Sequence, residues 1–299
     1  MNYSNIETFL KLAETRNFTK TAEELFLAQS TISYRIKSLE QELGINLIQR
    51  EQGKGYITLT VKGEEFINIA HKWKSILKDT NDWKTQNSLY KLKIASVDSL
   101  NTCVFSEFYK KVLRSDSPLI LNVGTHWTVT IHNFIENYET DLGFVSWEVP
   151  SKNIISKPLF SERFILISSI DSNLANSVHP KDLDPKSEIC LNRGPSFQAW
   201  HDYWWDSSKK ENSTVDTISL LRAFLDVPDF WSVVPISVAK TLMREKPIKI
   251  SEIEDAPPDR VCFKITNRNP LPRNLKSLEI LDEHIKNYIN SDFFKSLIS

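Results

Sequence analysis

The sequence predicts a mixed α/β chain in three parts: a small helical head ending in a two-stranded hairpin, one long amphipathic helix, and a larger two-lobed α/β body. Three observations carry this. Apolar residues recur at helical spacing over residues 6–43 and again over 66–77. Two short apolar runs flank Gly53-Lys54-Gly55, which reads as a hairpin turn. From Tyr90 onward, short apolar runs alternate with helical stretches, the pattern of a parallel sheet covered by helices.

Composition sets the bounds. The chain has 299 residues, 40% of them hydrophobic, which suffices for two domains with separate cores. Charged residues make up 25% and the formal net charge is -1, so no polyanion partner is announced by bulk charge. Even the first ninety residues carry twelve Lys/Arg against eleven Asp/Glu. Cys103, Cys190 and Cys262 are scattered and form no Cys-x-x-Cys pair, which suits a reducing cytosol. The six histidines show no metal-ligand spacing. The opening MNYSNIETFLKLAETRNF lacks the basic start and apolar run of a signal peptide, and no stretch is apolar enough to span a bilayer. The expected compartment is the cytoplasm. The seven glycines permit neither G-x-G-x-x-G nor G-x-x-x-x-G-K-[ST], and G-x-S-x-G is absent. No catalytic constellation is visible, and His201 beside Asp202 has no nucleophile partner, so an enzyme is not expected.

In the head, Ile6, Phe9, Leu10 and Ala13 form the stripe of a first helix. Thr19 is placed to cap a short second helix, and a turn near Phe26-Leu27-Ala28 leads to a third, which Gly44 ends. On the third helix, Ile32, Ile36, Leu39 and Leu43 share one side, with Ser30, Tyr34, Lys37 and Gln41 opposite. Gln29 and Ser33 lie on one flank, Thr31 and Arg35 on the other. Two helices joined tightly, the second with a polar outer face, make a helix-turn-helix suited to a major groove. Gln29, Ser30, Thr31, Ser33 and Tyr34 supply donors and acceptors for base edges, and Arg35 and Lys37 supply charge for phosphates. The alternative reading is a solvated helix face. The hairpin then acts as a wing, with Arg50 and Lys54 positioned for phosphates or a minor groove.

The run NFTKTAEELFLAQSTISYRIKSLEQELGINLIQR, followed by ITLTVKGEEF, resembles the winged helix-turn-helix of LysR-type transcriptional regulators. It shows an aromatic–Thr pair before the second helix, Gln-Ser-x-x-Ser, Leu-Glu-x-x-Leu-Gly, a closing Arg and Leu-Thr-x-x-Gly. It departs from the family pattern at Thr21, where Ala is usual, and at Ile48, where Phe is usual.

Thr60 can cap the long helix, with Glu64 and Glu65 in its first turn. Phe66, Ile69, Ala70, Trp73 and Leu77 give a stripe at coiled-coil spacing. The resemblance implies that this helix pairs with its twin in a homodimer or tetramer; the alternative is that it folds back on its own chain. The expected domains are 1–60 for the winged helix-turn-helix, 61–89 for the linker helix and 90–299 for the effector-binding body. Lobe I spans about 90–160 and 265–299, and lobe II about 161–264. Crossings are expected near Pro158–Ser161 and Cys262–Ile265, with C-terminal helices packing back on lobe I.

The body resembles the LysR-type effector domain, itself similar to periplasmic solute-binding proteins. It departs from the pattern at VPDFWSVVP, which lacks the glycines often found before the proline. Open α/β sheets bind ligands at the carboxyl ends of their strands. That places Ser96, Asp98, Ser99, Thr102, Thr125, Trp127, Ser146, Trp147, Arg193 and Phe197 around a cleft. Hydroxyls and helix N–H groups could hold a carboxylate there, Arg193 could add a charged bond, and the aromatics could wall the cleft. Each also has an ordinary role as a helix cap or core residue. The resemblance implies double-stranded DNA, a small-molecule effector, a second copy of the chain and RNA polymerase as partners; from the residues themselves no cofactor, metal or membrane is expected. Two rival readings are a small-molecule sensor or carrier whose head makes only protein contacts, and an α/β enzyme with a regulatory head.

Overall fold

In the computed structural model, which describes residues 2–50, 56–83, 90–191, 194–205 and 213–299, helix α1 (Tyr3–Thr15) buries Ile6, Phe9 and Leu12 completely. The chain divides into two units, Met1–Ser88 with Glu136–Glu139 and Leu89–Ile135 with Thr140–Ser299. In the first unit, α2 (Phe18–Leu25) and α3 (Gln29–Leu43) follow α1. The N-cap of α2 is Asn17, not Thr19. The Asn17 side chain accepts from the Lys20 N–H at 3.0 Å, which places Thr19 inside the first turn. Thr21 is fully buried, yet its hydroxyl lies 2.6 Å from that of Thr15 and donates to the Asn17 carbonyl at 2.7 Å. A polar residue therefore fits where alanine is usual, because its one buried group is satisfied.

Strands β1 (Ile48–Arg50) and β2 (Ile57–Leu59) pair antiparallel, with Ile48 opposite Leu59 and Arg50 opposite Ile57. The intervening turn, with Gly53, Lys54 and Gly55, lies outside the described residues. Both Leu47 and Ile48 donate backbone N–H groups to the Glu40 carboxylate, at 2.7 and 3.1 Å, so α3 holds the start of the hairpin. Helix α4 (Val61–Trp83) begins where Thr60 accepts from the Gly63 N–H at 2.9 Å. Gly63 is required for packing. A Cβ there would stand 2.0 Å from the Leu47 carbonyl oxygen.

The stripe expected on α4 is divided between two environments. Phe66 and Ala70 are buried in the head's own core beside Phe9, Leu39 and Leu47, and Trp73 packs against them. The Phe9 and Phe66 rings meet edge to face, 5.2 Å apart. Ile69, by contrast, is 55% exposed and Ile76 46% exposed. The sequence pattern merges two faces because a wide apolar stripe can serve a core on one side and solvent on the other. Phe66 and Ala70 are thus core residues, and the outward apolar face runs through Ile69 and Ile76.

The second unit opens with β3 (Tyr90–Ser96), a π-helical turn (Leu100–Phe105) and α5 (Ser106–Arg114). It continues with β4 (Leu119–Thr125), α6 (Thr128–Glu136), β5 (Leu142–Val145) and β6 (Ile154–Glu162). The next group is β7 (Phe164–Ser169), β8 (Ser177–Val178), β9 (Ile189–Leu191), α7 (Pro195–Trp204), β10 (Ser213–Val215) and α8 (Ile218–Phe224). The last is β11 (Trp231–Pro235), α9 (Ile236–Glu245), β12 (Ile248–Ile253), β13 (Arg260–Asn267), α10 (Pro272–Ile289) and α11 (Asp292–Ile298). One sheet has the order β4-β3-β5-β13-β6, with β3 parallel to β4 and β5. The other has the order β11-β7-β12-β8, and β9 pairs with β10 in a separate parallel ribbon. Leu278, Leu281, Ile285, Tyr288 and Phe294 from α10 and α11 pack on Leu92, Ile94 and Phe144 of the first sheet.

The crossings fall outside the segments expected for them. Pro158 pairs with Phe263 and Ser156 with Ile265, within the first sheet. Cys262 and Ile265 are fully buried there, which keeps β13 in the sheet to its first residue. The chain changes sheets at Arg163, between β6 and β7, and again between β12 and β13. A buried ion pair sits at this point: Arg260 Nη2 donates to Glu162 Oε1 at 2.5 Å and Arg260 Nε at 3.1 Å. Arg260 Nη1 also donates to the Ser99 hydroxyl at 2.7 Å, and Glu162 Oε2 accepts the Ser237 N–H at the start of α9 at 3.0 Å.

Two stability outcomes follow from these contacts. Gly63→Ala is expected to cost the head about 1–3 kcal/mol through forced overpacking, read as a lower midpoint in thermal circular dichroism. A midpoint equal to wild type would remove the close-approach explanation. Arg260→Ala should destabilise the C-terminal unit by about 3–5 kcal/mol, because it strands a buried carboxylate. Adding Glu162→Leu should recover part of that loss in urea unfolding. No recovery would show that packing, not charge, sets the cost.

Candidate nucleic-acid interface and ligand cleft

The orientation of α3 follows from its apolar side. Ile32, Ile36 and Leu39 are fully buried, so the residues opposite them face outward. Gln29, Ser30 and Lys37 are exposed, Tyr34 is 73% exposed, and Thr31 and Ser33 are half-buried at the flanks. Ala28 occupies the N-cap without a side-chain cap, leaving the start of α3 suited to an anion. Arg35 differs from the expectation of a wholly outward cation: it is half-buried, and its Nη1 donates to the Thr8 hydroxyl of α1 at 3.2 Å. Part of its hydrogen-bonding capacity therefore braces α3 against α1. Arg50 closes β1, but its side chain, like Lys54, lies outside the described residues.

Phe26 is a surface residue that sequence pattern does not single out. It ends α2 in the left-handed region, with φ 54°, and is 95% exposed in the turn that leads into α3. A hydrophobic residue in a short turn reads as core from its type alone. Only the backbone conformation turns it outward.

In the C-terminal unit, several of the expected ligand residues are already engaged by other protein groups, Asp98 across the two lobes. Ser96 is fully buried at the end of β3. Asp98 accepts the Ile218 N–H of α8 at 2.7 Å, so a carboxylate of lobe I already occupies a helix N-terminus of lobe II. The Thr102 hydroxyl donates to Asp98 at 3.4 Å. Ser99 is held by Arg260, and Thr125 accepts from Asn101 Nδ2 at 2.8 Å. Trp127 is 49% exposed after β4. Ser146 and Trp147 are half-buried after β5. Trp147 packs against Gly194, where a Cβ would come within 2.4 Å of the indole. Gly194 has φ +91°, a second reason for glycine at this position. Arg193 lies outside the described residues.

Phe197 requires correction. It is 3% exposed and packs on Phe164 and Trp200, at ring distances of 5.1 and 5.4 Å. Phe197, with Trp200 and Trp204 against it, faces the core of lobe II, while Tyr203 of the same helix is exposed, which makes Phe197 a packing residue and not a cleft wall. Two further groups, which no sequence signal marks, line the same lobe interface. Cys103, on the π-helical turn, packs in the apolar cluster of lobe II. Burial pushes its thiol up to about 12, so it is not a thiolate at neutral pH. Thr241 of α9 donates to the Cys103 carbonyl at 3.4 Å.

Comparisons with known proteins agree with this geometry. Residues 3–64 match the family described as bacterial regulatory helix-turn-helix protein, lysR family, and residues 86–281 match the LysR substrate binding domain. The HTH-type transcriptional regulator HdfR of Escherichia coli O7:K1 (strain IAI39 / ExPEC) is 23% identical over 291 residues, covering 95% of this chain and 99% of that protein. Among solved structures, full-length OxyR from Pseudomonas aeruginosa, a variant protein, superposes with TM-score 0.63 at 21% identity, covering 96% of this chain and 95% of that one. CbnR, a LysR family transcriptional regulator, gives 0.60 at 18% identity over 97% of this chain and all (100%) of that one. CbnR complexed with its target DNA gives 0.59 at 19% identity, over 96% and 100%. No helix among the described residues is long and apolar enough to cross a membrane. With both family models matched in order along the chain, the protein belongs to the LysR family, as a helix-turn-helix transcriptional regulator with a substrate-binding domain.

Proposed function

We propose that the protein reads a pseudo-palindromic duplex as a homodimer or a dimer of dimers in the cytoplasm, and that a small molecule between the two lobes sets its output. The observation that carries this reading is the sidedness of α3: three apolar residues fully buried, and Gln29, Ser30, Tyr34 and Lys37 displayed together. Gln29, Ser30, Thr31, Ser33 and Tyr34 meet base edges. Lys37, Arg50, Lys54 and the remaining donors of Arg35 meet phosphates or the minor groove. With so few cations in one head, useful affinity needs a second head on the same duplex.

The dimer seam runs along the outward side of α4, through Ile69 and Ile76 and past Trp73 and Leu77. A ligand that binds one lobe arrangement better than another shifts the population of dimer geometries on DNA. The groups that would meet it are those at the strand ends, Asp98, Ser99, Thr102, Thr125, Trp127, Ser146, Trp147 and Arg193, with Ser96 buried beneath them. RNA polymerase is the proposed downstream partner. The rival reading, a sensor whose head binds only protein, predicts no salt-dependent affinity for duplex.

The binding test uses a duplex selected by the wild-type protein from a random pool. Tyr34→Ala is expected to reduce the ratio of specific to random-sequence affinity about tenfold, within the usual range for removing a base-edge interaction. Lys37→Ala should weaken both equally and flatten the slope of log K against log salt by about 0.9, the value for one phosphate no longer neutralised. Two variants indistinguishable from wild type in fluorescence anisotropy would remove this interface.

The oligomer test is separate. Ile69→Glu should convert the dimer to monomer in sedimentation velocity while leaving the head folded, whereas Ala70→Glu should unfold the head. Dimers surviving Ile69→Glu would place the seam elsewhere.

A further inference from the structure

Glu188, Cys190 and His201 bring a carboxylate oxygen, a thiol sulfur and an imidazole nitrogen within 4.8 Å of one another in lobe II. Glu188 is fully buried and His201 is 4% exposed, while Cys190 is half-buried. From this geometry we propose a transition-metal site in lobe II, with these three side chains as ligands and Zn2+ as its fitting ion. The proposal is independent of the DNA-reading assignment.

The fold assembles the three ligands from two rigid elements. Glu188 and Cys190 are two residues apart at the start of β9, so strand alternation sends both to one side. His201 lies on α7, with its Nε2 2.6 Å from Glu188 Oε2. The strand is fixed from behind by the Ser232 hydroxyl, which donates to the Ile189 carbonyl at 2.6 Å, and by the bridge between Glu188 and Trp231. The imidazole is flanked by the Trp205 ring at 4.9 Å and the Phe197 ring at 6.2 Å. These aromatics restrict its orientation and limit water on that side.

Charge and ligand type select the ion. A carboxylate, a thiolate and a neutral imidazole around a divalent cation sum to zero, which suits a buried, largely apolar surrounding. Sulfur and nitrogen donors favour Zn2+ and its neighbours, whereas Mg2+ and Ca2+ seek all-oxygen shells. Zinc bond lengths imply ligand separations of roughly 3.3–3.7 Å in a tetrahedron. The 2.6 Å pair must therefore open by under about 1 Å, within reach of side-chain rotation, around a thiol that lies within 4.8 Å of both partners. Three protein ligands leave a fourth position for water or an exogenous group. On binding, the Cys190 thiol loses its proton to solvent and the sulfur lone pair forms the metal bond.

The test is a Co2+ titration of the full-length, reduced, metal-stripped protein. Wild type is expected to take up one equivalent, with a thiolate-to-cobalt charge-transfer band and tetrahedral ligand-field bands, both abolished by Zn2+ and untouched by Mg2+. Cys190→Ser should lose the charge-transfer band, whereas the double variant Cys103→Ser/Cys262→Ser should keep it. His201→Gln should weaken Co2+ binding at least about tenfold. Wild-type protein with no thiolate band, or a band that survives in Cys190→Ser, would overturn the site. Far-ultraviolet circular dichroism checks the fold of each variant. Should His201→Gln fail to fold, the wild-type and Cys190→Ser spectra still decide.

Discussion

The burial of one side of α3 governs the function of the head. Ile32, Ile36 and Leu39 have no solvent exposure, and Ile36 and Leu39 share a core with Ile6, Phe9 and Leu12 of α1. A rotation of α3 by one residue would turn these side chains toward water and bring Tyr34 or Lys37 inward, costing several kcal/mol in apolar burial. The reading face is therefore set by hydrophobic packing, although no apolar residue of that seam reads anything. Glu40 extends the same control to the wing. Its carboxylate takes two backbone N–H groups at the start of the hairpin, and the Ile57 N–H donates to the Arg16 carbonyl, so both strands are tied to the helices. Gly63 completes the arrangement by letting α4 lie against the Leu47 carbonyl.

The C-terminal unit applies a different constraint. Its lobes meet through polar groups with defined partners: Asp98 on the α8 N-terminus and Glu162 on the start of α9, with Arg260 holding Glu162 and Ser99 from within lobe I. Such interactions have a definite geometry and weaken sharply when displaced. An interface held this way favours discrete arrangements, which a ligand can select between, over continuous deformation. Asp98 is the informative member, because it belongs to lobe I and satisfies a backbone donor of lobe II. An anionic ligand seeking that donor would have to displace Asp98.

Much of this architecture is legible in the sequence, and the exceptions have physical causes. The apolar period marks α1, α3 and α4, and Gly44 and Thr60 mark helix ends, because those signals are local. Thr19 reads as a cap, yet Asn17 takes that role two residues earlier, since both types cap well. Phe66 and Ala70 read as partner-facing because periodicity reveals an apolar stripe but not which neighbour covers each part of it. The crossings between lobes read as lying inside β6 and β13, since an apolar strand looks identical whichever sheet receives it. Phe197 reads as a cleft wall for a similar reason: it stands a few residues after a strand end, but its own side chain faces the core. The Glu188, Cys190 and His201 cluster is invisible in the sequence because its spacing matches no motif; packing of α7 on β9 creates it.

That cluster and the lobe interface share one element. Gly194 precedes α7 and lies under the Trp147 indole of lobe I, while His201 sits in the same helix further on. An ion drawing His201 toward a new position relative to Glu188 and Cys190 would act on a rigid rod whose near end touches the other lobe. The close packing of Trp147 on Gly194 leaves little slack, since even a methyl group would not fit there. A small movement of α7 must then either be blocked by the indole or be passed to it. An ion can bias the lobes only if it binds their two arrangements with different affinity. Side-chain rotation alone can bring His201 and Glu188 from their 2.6 Å spacing to metal-ligand separations, so an ion seated that way leaves α7 and the lobe contact where they are.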